Sequence, residues 1–237
     1  MIKFSGPLHK GTLVKRYKRF LADVTLENGD IVTAHCANTG SMKTCGSPGD
    51  TIWLLYNPSP KRKLDWSWEY TETENGYIGI NTARPNRIVE NAIQSDQIPE
   101  LSGYESIKRE VKYGTNSKID LLLESPDRAK CYVEIKNVTL QGQDCILFPD
   151  AKTERGIRHL RELQLIKNQG CRAVMFFLVN RPDGSVFKPA ADIHPEYAEE
   201  LSQAHHAGVE ILVYRAEHSL EGIQLGAPVP QQLTNYH

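Results

Sequence analysis

The stretch SKIDLLLESPDRAKCYVEIKNV, from Ser117 to Val138, decides how the rest of the 237-residue chain is read. Its halves, Ser117 to Glu124 and Cys131 to Val138, alternate in polarity as strands do. The run from Ser125 to Arg128 joins them as the turn of an antiparallel hairpin. Side chains on a strand alternate faces. Ile119, Leu121, Leu123, Val133 and Ile135 are therefore expected to point together into a core, with Asp120, Glu134 and Lys136 on the opposite face.

A register that pairs Asp120 with Glu134 sets their Cβ atoms about 5 Å apart. Two carboxylates that close repel each other. A protonated acid, a nearby cation or a bound metal ion relieves the repulsion, and hard oxygen ligands favour magnesium, manganese or calcium. Lys136 supplies one positive charge beside them. The alternative for the same residues is a solvated strand pair with a cross-strand salt bridge.

Working outward, the chain divides in two. Up to residue 83 the sequence reads as short strands without a helix: Leu13 to Leu26 as one strand, a turn at Glu27 to Asp30, then Ile31 to Cys36, Thr51 to Tyr56, Trp66 to Thr71 and Tyr77 to Ile80. Four or five such strands suggest a small OB-fold-like barrel. From residue 84 to 237 helices and strands alternate. Pro85 opens a helix with Ile88, Val89, Ala92 and Ile93 on one stripe, and Ile107 to Tyr113 precedes the two strands already described. A long helix starting at Asp150 or Thr153 runs to Asn168, and Ala173 to Val179 is an apolar strand. A last helix begins near Asp192, before a strand at Val209 to Tyr214. This order predicts an α/β domain with a mixed sheet flanked by helices.

Composition sets outer bounds. With 40% hydrophobic and 24% charged residues the chain resembles ordinary globular proteins, and its net charge of -1 excludes attraction of polynucleotide over the whole surface. The charge is unevenly placed: Met1 to Phe20 holds six Lys or Arg and no acid, so the basic N-terminal end is the candidate for phosphate contact. No apolar run reaches the length of a membrane span, and MIKFSGPLHKG lacks the apolar core of a secretory signal, so a cytoplasmic protein with no membrane contact is expected. The five scattered cysteines are expected to stay reduced. A zinc site from His35, Cys36 and Cys45 is disfavoured, because no second ligand pair follows. A nucleotide cofactor is disfavoured too, since no glycine-rich phosphate fingerprint is present.

The spacing of Asp120 and Glu134-Ile135-Lys136, within this order of elements, resembles the PD-(D/E)xK nuclease fold. Several stretches resemble the sugar fermentation stimulation protein A family over nearly the full length: RYKRFLADV (Arg16 to Val24), CANTGSM (Cys36 to Met42), GINTARPNRIVENAI (Gly79 to Ile93), REVKYGTNSKIDLLL (Arg109 to Leu123), YVEIKNVTL (Tyr132 to Leu140) and FPDAKTERGIRHLREL (Phe148 to Leu163). The resemblance implies a DNA-binding protein linked by its family name to sugar use. It carries an OB-like domain and a nuclease-like domain, in which two acids hold Mg2+ or Mn2+ and a lysine orients water or offsets charge. It assigns catalysis to Asp120, Glu134 and Lys136, and metal binding to Asp120, Glu134 and the backbone carbonyl of Ile135, with Glu90 or Glu110 as a further acid.

Other residues carry two readings each. Lys15, Arg16, Tyr17, Lys18, Arg19 and Phe20 interleave cations with aromatics, which suits DNA, although Tyr17 or Phe20 can instead be buried. Lys61, Arg62 and Lys63, ahead of Trp66 and Trp68, repeat that pattern. Thr139, Arg155, Arg158, His159 and Arg161 either meet substrate phosphates or cover an exposed helix face. Asn38, Thr39, Gly40 and Ser41 form either a phosphate-cradling loop or a tight turn, and His205-His206 reads as a helix cap. The leading expectation is a DNA-binding, metal-dependent nuclease of low sequence preference. A regulator that binds DNA without cutting it, and an enzyme acting on a small phosphorylated sugar, are its rivals. A homo-oligomer is left open.

Overall fold

The structure is a computed structural model that describes residues 1–113 and 117–234. Residues 114–116 of the family-like stretch, and the last three residues of the predicted second domain, lie outside it.

The first half is a barrel. Strands β2 (Leu8–Tyr17), β3 (Leu21–Leu26), β4 (Ile31–His35), β5 (Thr51–Tyr56), β6 (Trp66–Thr73) and β7 (Gly76–Gly79) form one sheet in the order β4-β3-β2-β5-β6-β7. A parallel pairing of Ala34 with Trp66 and His35 with Ser67 closes it as an OB domain. Alternate residues turn inward, so Leu13, Ala22, Val24, Ala34, Ile52, Leu54 and Trp68 fill the interior. Each of the leucine, isoleucine and valine side chains among them contributes about 1.5–3 kcal/mol when fully withdrawn from water.

Leu13 to Leu26 is not one strand. Lys18 and Arg19 stand at φ 47° and 65°, and two left-handed residues in succession fold the chain into a tight hairpin between β2 and β3. Lysine and arginine seldom adopt that conformation, so the turn left no glycine or asparagine to read. The first strand, β1 (Ile2–Lys3), leaves the barrel altogether and pairs with the last strand of the second half.

That half contains α1 (Pro85–Gln94), β8 (Ser106–Tyr113), β9 (Ser117–Ser125), β10 (Arg128–Val138), β11 (Leu140–Gln141), β12 (Cys145–Phe148), α2 (Glu154–Asn168), β13 (Arg172–Val179), β14 (Val186–Pro189), α3 (Pro195–His206), β15 (Glu210–His218) and β16 (Gly222–Pro228). Its mixed sheet runs β1-β16-β15-β13-β10-β9-β8, with β10, β13 and β15 parallel. α1 covers one face through Ile88, Val89, Ala92 and Ile93, packed on Leu121, Leu123, Val133, Ile135 and Phe176. α2 and α3 cover the other, where Leu160, Leu163 and Leu201 meet Leu122, Met175 and Phe177. The small sheet β11-β12-β14 was not expected, because strands of two and four residues carry too little alternation to register.

Ile119 is a second correction. It lies in the α2 cluster, not with Leu121 and Leu123. On neighbouring β8 Ile107 packs on the α1 side but Val111 on the α2 side, and Glu110 between them has φ 52°. A left-handed residue in a strand breaks the two-residue alternation, and both strands reverse faces at the level of Glu110 and Asp120. Of the two expected starts of α2 the structure selects Thr153, which caps the helix by accepting Gly156 N–H at 3.0 Å, while α3 begins at Pro195, slightly later than expected. Among the described residues no helix is long and apolar enough to cross a membrane.

Candidate metal centre

β9 and β10 pair with Val133 opposite Leu121, and one further step of that register sets Glu134 against Asp120. Asp120 is fixed from two sides: Oδ1 accepts from Asn86 Nδ2 at 2.9 Å, and Oδ2 accepts from the Ile135 N–H at 2.8 Å. Glu134 is buried, and its Oε1 accepts from Lys136 Nζ at 2.7 Å and from His159 Nδ1. Arg155 Nε donates to His159 Nε2 at 3.2 Å, which assigns the ring hydrogen to Nδ1, from where it is donated to Glu134 Oε1. Glu134 Oε2 is shielded from solvent and has no hydrogen-bond partner.

These groups open on a cleft of ≈ 310 Å³ lined by Asn86, Asp120, Glu134, Ile135, Lys136 and Arg155. Pro85 and Asn86 from the first turn of α1, with Thr153 and Gly156 from the start of α2, also border it. The first turns of two helices thus border the carboxylates, and the positive end of each helix dipole favours negative charge there.

The surroundings split the two acids. Burial, then the Glu134 charge, raises Asp120 above its ordinary range, against the hydrogen bonds from Ile135 and Asn86. Burial also pushes Glu134 up, but the His159 hydrogen bond and the Lys136 charge more than offset it and hold Glu134 below its ordinary value. Glu134 is the ready anion, and Asp120 is the acid that gains from a cation. The donor set fits a small hard cation: two carboxylates, one with an unpartnered buried oxygen, beside the Ile135 backbone. Among the described residues no group of three or more His, Cys, Asp or Glu side chains is arranged to hold a metal, so such an ion would rely on the Ile135 carbonyl and water to complete its shell.

The other predicted residues scatter. Glu90 is buried on α1, but Arg109 grips both its oxygens, with Nε to Oε1 at 2.8 Å, and it does not line the cleft. Glu110 is exposed at its left-handed position. Arg155 faces the cleft, Arg158 is exposed, and Arg161 pairs with Glu200 on α3 at 2.7 Å. Thr139 is buried, and its carbonyl accepts from Thr44 Oγ1 and Arg181.

On the barrel, Lys15 is exposed and 3.5 Å from Asp23, and Tyr17 donates to Asp23 Oδ1 at 3.1 Å. Arg16 turns inward, where Nη2 donates to the carbonyls of Arg19, Asn38 and Gly40. Lys18, Arg19 and Phe20 are exposed on the hairpin. Lys61 and Lys63 are exposed, Arg62 donates to Asn57 O and Ser67 Oγ, Trp66 is half-buried and Trp68 fully buried. The loop amides at Asn38 to Ser41 are taken by the chain itself: Gly40 N–H donates to Asn38 Oδ1 and Ser41 N–H to Asp150 Oδ2, both at 2.8 Å. His206 Nδ1 lies 2.7 Å from Ser202 O, consistent with a cap, and all five cysteines are free.

Two positions at the site, Asn86 and Asp150, escaped the sequence reading, and a third, His159, was read there with a different partner. Asn86 was visible as an amide directly after a helix-opening proline. His159 had been considered as a phosphate ligand; its burial between Ile157 and Leu160 on the inward face of α2 was the available sign that it serves a buried partner. Asp150 gave no sign, because its contact with Ser41 spans 109 positions.

Residues 14–80 match the family model described as the SfsA N-terminal OB domain, and residues 83–222 match the sugar fermentation stimulation protein RE domain. Relatives named sugar fermentation stimulation protein homolog include one from Paramagnetospirillum magneticum, 51% identical over 98% of this chain and 99% of its own, and one from Geotalea uraniireducens, 53% identical over 92% and 94%. A solved structure described as Pyrococcus furiosus SfsA in complex with Ca2+ superposes with a TM-score of 0.89 at 29% identity, covering 98% of both chains.

Proposed function

The chain belongs to the sugar fermentation stimulation protein family, and from that premise we propose that it is a DNA-binding protein with a Mg2+- or Mn2+-dependent phosphodiesterase centre of low sequence preference. The observation that carries this reading is the unpartnered, buried Glu134 Oε2 beside Asp120, at the mouth of a cleft that also presents Lys136 and Arg155. A buried carboxylate oxygen without a donor is a costly arrangement that a cation repairs. The Ca2+ described for the Pyrococcus furiosus relative supports a hard-cation site in this fold.

In this mechanism Asp120, Glu134 and the Ile135 carbonyl would hold the ion. Bound there, such an ion polarises a phosphoryl oxygen and acidifies water. The chain's own groups do the rest. His159 and Lys136 hold Glu134 in one orientation, and Asn86 and the Ile135 N–H hold Asp120. Lys136 Nζ offsets negative charge that develops on the phosphoryl group, and exposed Arg155 meets a neighbouring phosphate with its guanidinium fork.

The test is cleavage of plasmid and oligonucleotide DNA in Mg2+ and Mn2+, with filter retention measured alongside. Asp120→Ala and Glu134→Ala are expected to abolish cleavage while retention persists. His159→Ala, which frees Glu134 to turn, should lower metal affinity or activity about 10–100-fold. Cleavage unchanged in both acid variants rejects the metal centre. Retention without cleavage by the wild-type protein leaves the non-cutting regulator.

A further inference from the structure

The metal-site cleft continues into a second hollow of ≈ 190 Å³ between the two halves of the chain, where the loop Asn38 to Gly40 faces Asn137 and Asp150. Thr82, Asn137 and Phe148 line both, so the two form one groove. The loop that lines its barrel side, Asn38 to Gly40, is bonded in turn to the β2–β3 hairpin. One guanidinium nitrogen of Arg16 donates to Arg19 O at 3.2 Å, Asn38 O at 2.8 Å and Gly40 O at 3.1 Å, and Cys36 N–H donates to Phe20 O at 2.8 Å. The hairpin tip is therefore tied directly to the loop that lines the groove.

Charge is distributed along this path in a telling order. Lys136 and Arg155 stand at one end; Lys18 and Arg19 stand exposed at the other, next to Phe20, a residue 48% exposed. Among the described residues lining the middle hollow there is no cation, and its one carboxylate, Asp150, is turned to Ser41. A middle without cations, whose single carboxylate is held by Ser41, suits sugars and bases more than phosphates. Cationic ends suit phosphates, and Phe20 and Phe148 offer faces for stacking.

The groove is also held at a fixed width. Ser41 N–H donates to Asp150 at 2.8 Å and Arg181 to Thr44 Oγ1 at 3.2 Å, both across the two halves, while Thr82 Oγ1 anchors the end of the barrel segment to Ala37 O at 2.9 Å. One backbone with splayed bases can thread such a groove, whereas the second strand of a duplex would meet the barrel loop.

Resting on the nuclease reading above, we propose that the substrate is single-stranded DNA, threaded from Asp120 and Glu134 through the groove between the two halves to the Lys18–Arg19–Phe20 hairpin. Lys18→Asn with Arg19→Gly removes both cations while supplying residues that accept the turn's positive φ, so the hairpin is preserved. The measurement is KM and kcat on oligothymidylates from a dinucleotide upward, in Mn2+.

For the wild type KM is expected to fall with length and then level off. In the double variant that gain is lost, with KM for the longest oligonucleotide raised roughly tenfold and the salt slope of log KM flattened by about 1.4, or about 0.7 per phosphate contact. A blunt duplex is expected to be cut far more slowly than its separated strands. A length gain kept in full by the variant, or equal cleavage of the blunt duplex, overturns the path. Failure of the underlying reading looks different: the wild type would then cut no length at all.

Discussion

Asp120 and Glu134 are chemically alike and placed side by side, yet the chain treats them oppositely. Four donors surround Glu134 and Asp120: His159 and Lys136 go to one oxygen of the former, while the backbone of Ile135 and the amide of Asn86 go to the latter. Neutral donors do not offset burial and the Glu134 charge at Asp120, so its folded-state pKa is raised above 3.8. An acid whose pKa is raised on folding loses stability as pH climbs through the window above its unfolded value. Metal-free protein should therefore be less stable at neutral pH because Asp120 ionises. Asp120→Asn keeps the shape and a hydrogen-bonding side chain while removing the charge. It is expected to raise the metal-free melting temperature by roughly 2–4 °C, the shift that about 1 kcal/mol gives a chain of this size. Added Mn2+ should raise the melting temperature of the wild type and leave that of the variant where it was. A variant that melts lower without metal and still responds to Mn2+ would contradict this account of the pair.

At the scale of elements, the loop between β4 and β5 is held against the loop between β12 and α2 by Gly40 and Asp150. A side chain at Gly40 would overlap the Asp150 carboxylate. Gly40→Ala must therefore displace Asp150 from Ser41, leaving that N–H half-buried and unpaired, and is expected to destabilise the protein by about 1–3 kcal/mol. Urea unfolding measures it, and a loss no larger than that of Gly6→Ala, where the added carbon meets nothing, would refute the latch. This contact also marks the limit of what was legible in the sequence. The β9–β10 hairpin and its acids could be read because period-two alternation is local, and α1 and α2 because their stripes and caps are local. The Lys18–Arg19 turn, the face reversal at Glu110 and the small sheet of β11, β12 and β14 could not. The first two depend on unusual backbone angles at ordinary residues, and the third on strands too short to show a pattern. His159 was seen as a residue but not as a partner of Glu134, since helix periodicity gives its face and not what lies across from it.

For the whole molecule, the question is what joins barrel to sheet, and His218 at the end of β15 answers part of it. Its ring lies 5.0 Å from that of Tyr70 on β6, and Gly79 on β7 approaches so closely that an added carbon would stand 2.7 Å from the imidazole. Both ring nitrogens are shielded from solvent and have no hydrogen-bond partner. Burial depresses its pKa from 6.5 to about 3, so the folded protein holds this histidine neutral. A base with a depressed folded pKa contributes stability above its unfolded value, lost as pH falls from 6.5 toward about 3. The same junction carries β1 on β16 and the hydrogen bond from Gly79 N–H to Asn180 O at 2.8 Å, so protonation there strains the seam between the halves directly. His218→Leu removes the titrating group without breaking a hydrogen bond. In melts from neutral pH down to about pH 4 the wild type should lose stability more steeply than the variant, by on the order of several kcal/mol at the acid end. Because Glu134, held below its ordinary value, weakens the site by acid only at the lower end of that range, the difference between the two proteins should open first near pH 6. Parallel curves would mean that the junction does not sense His218.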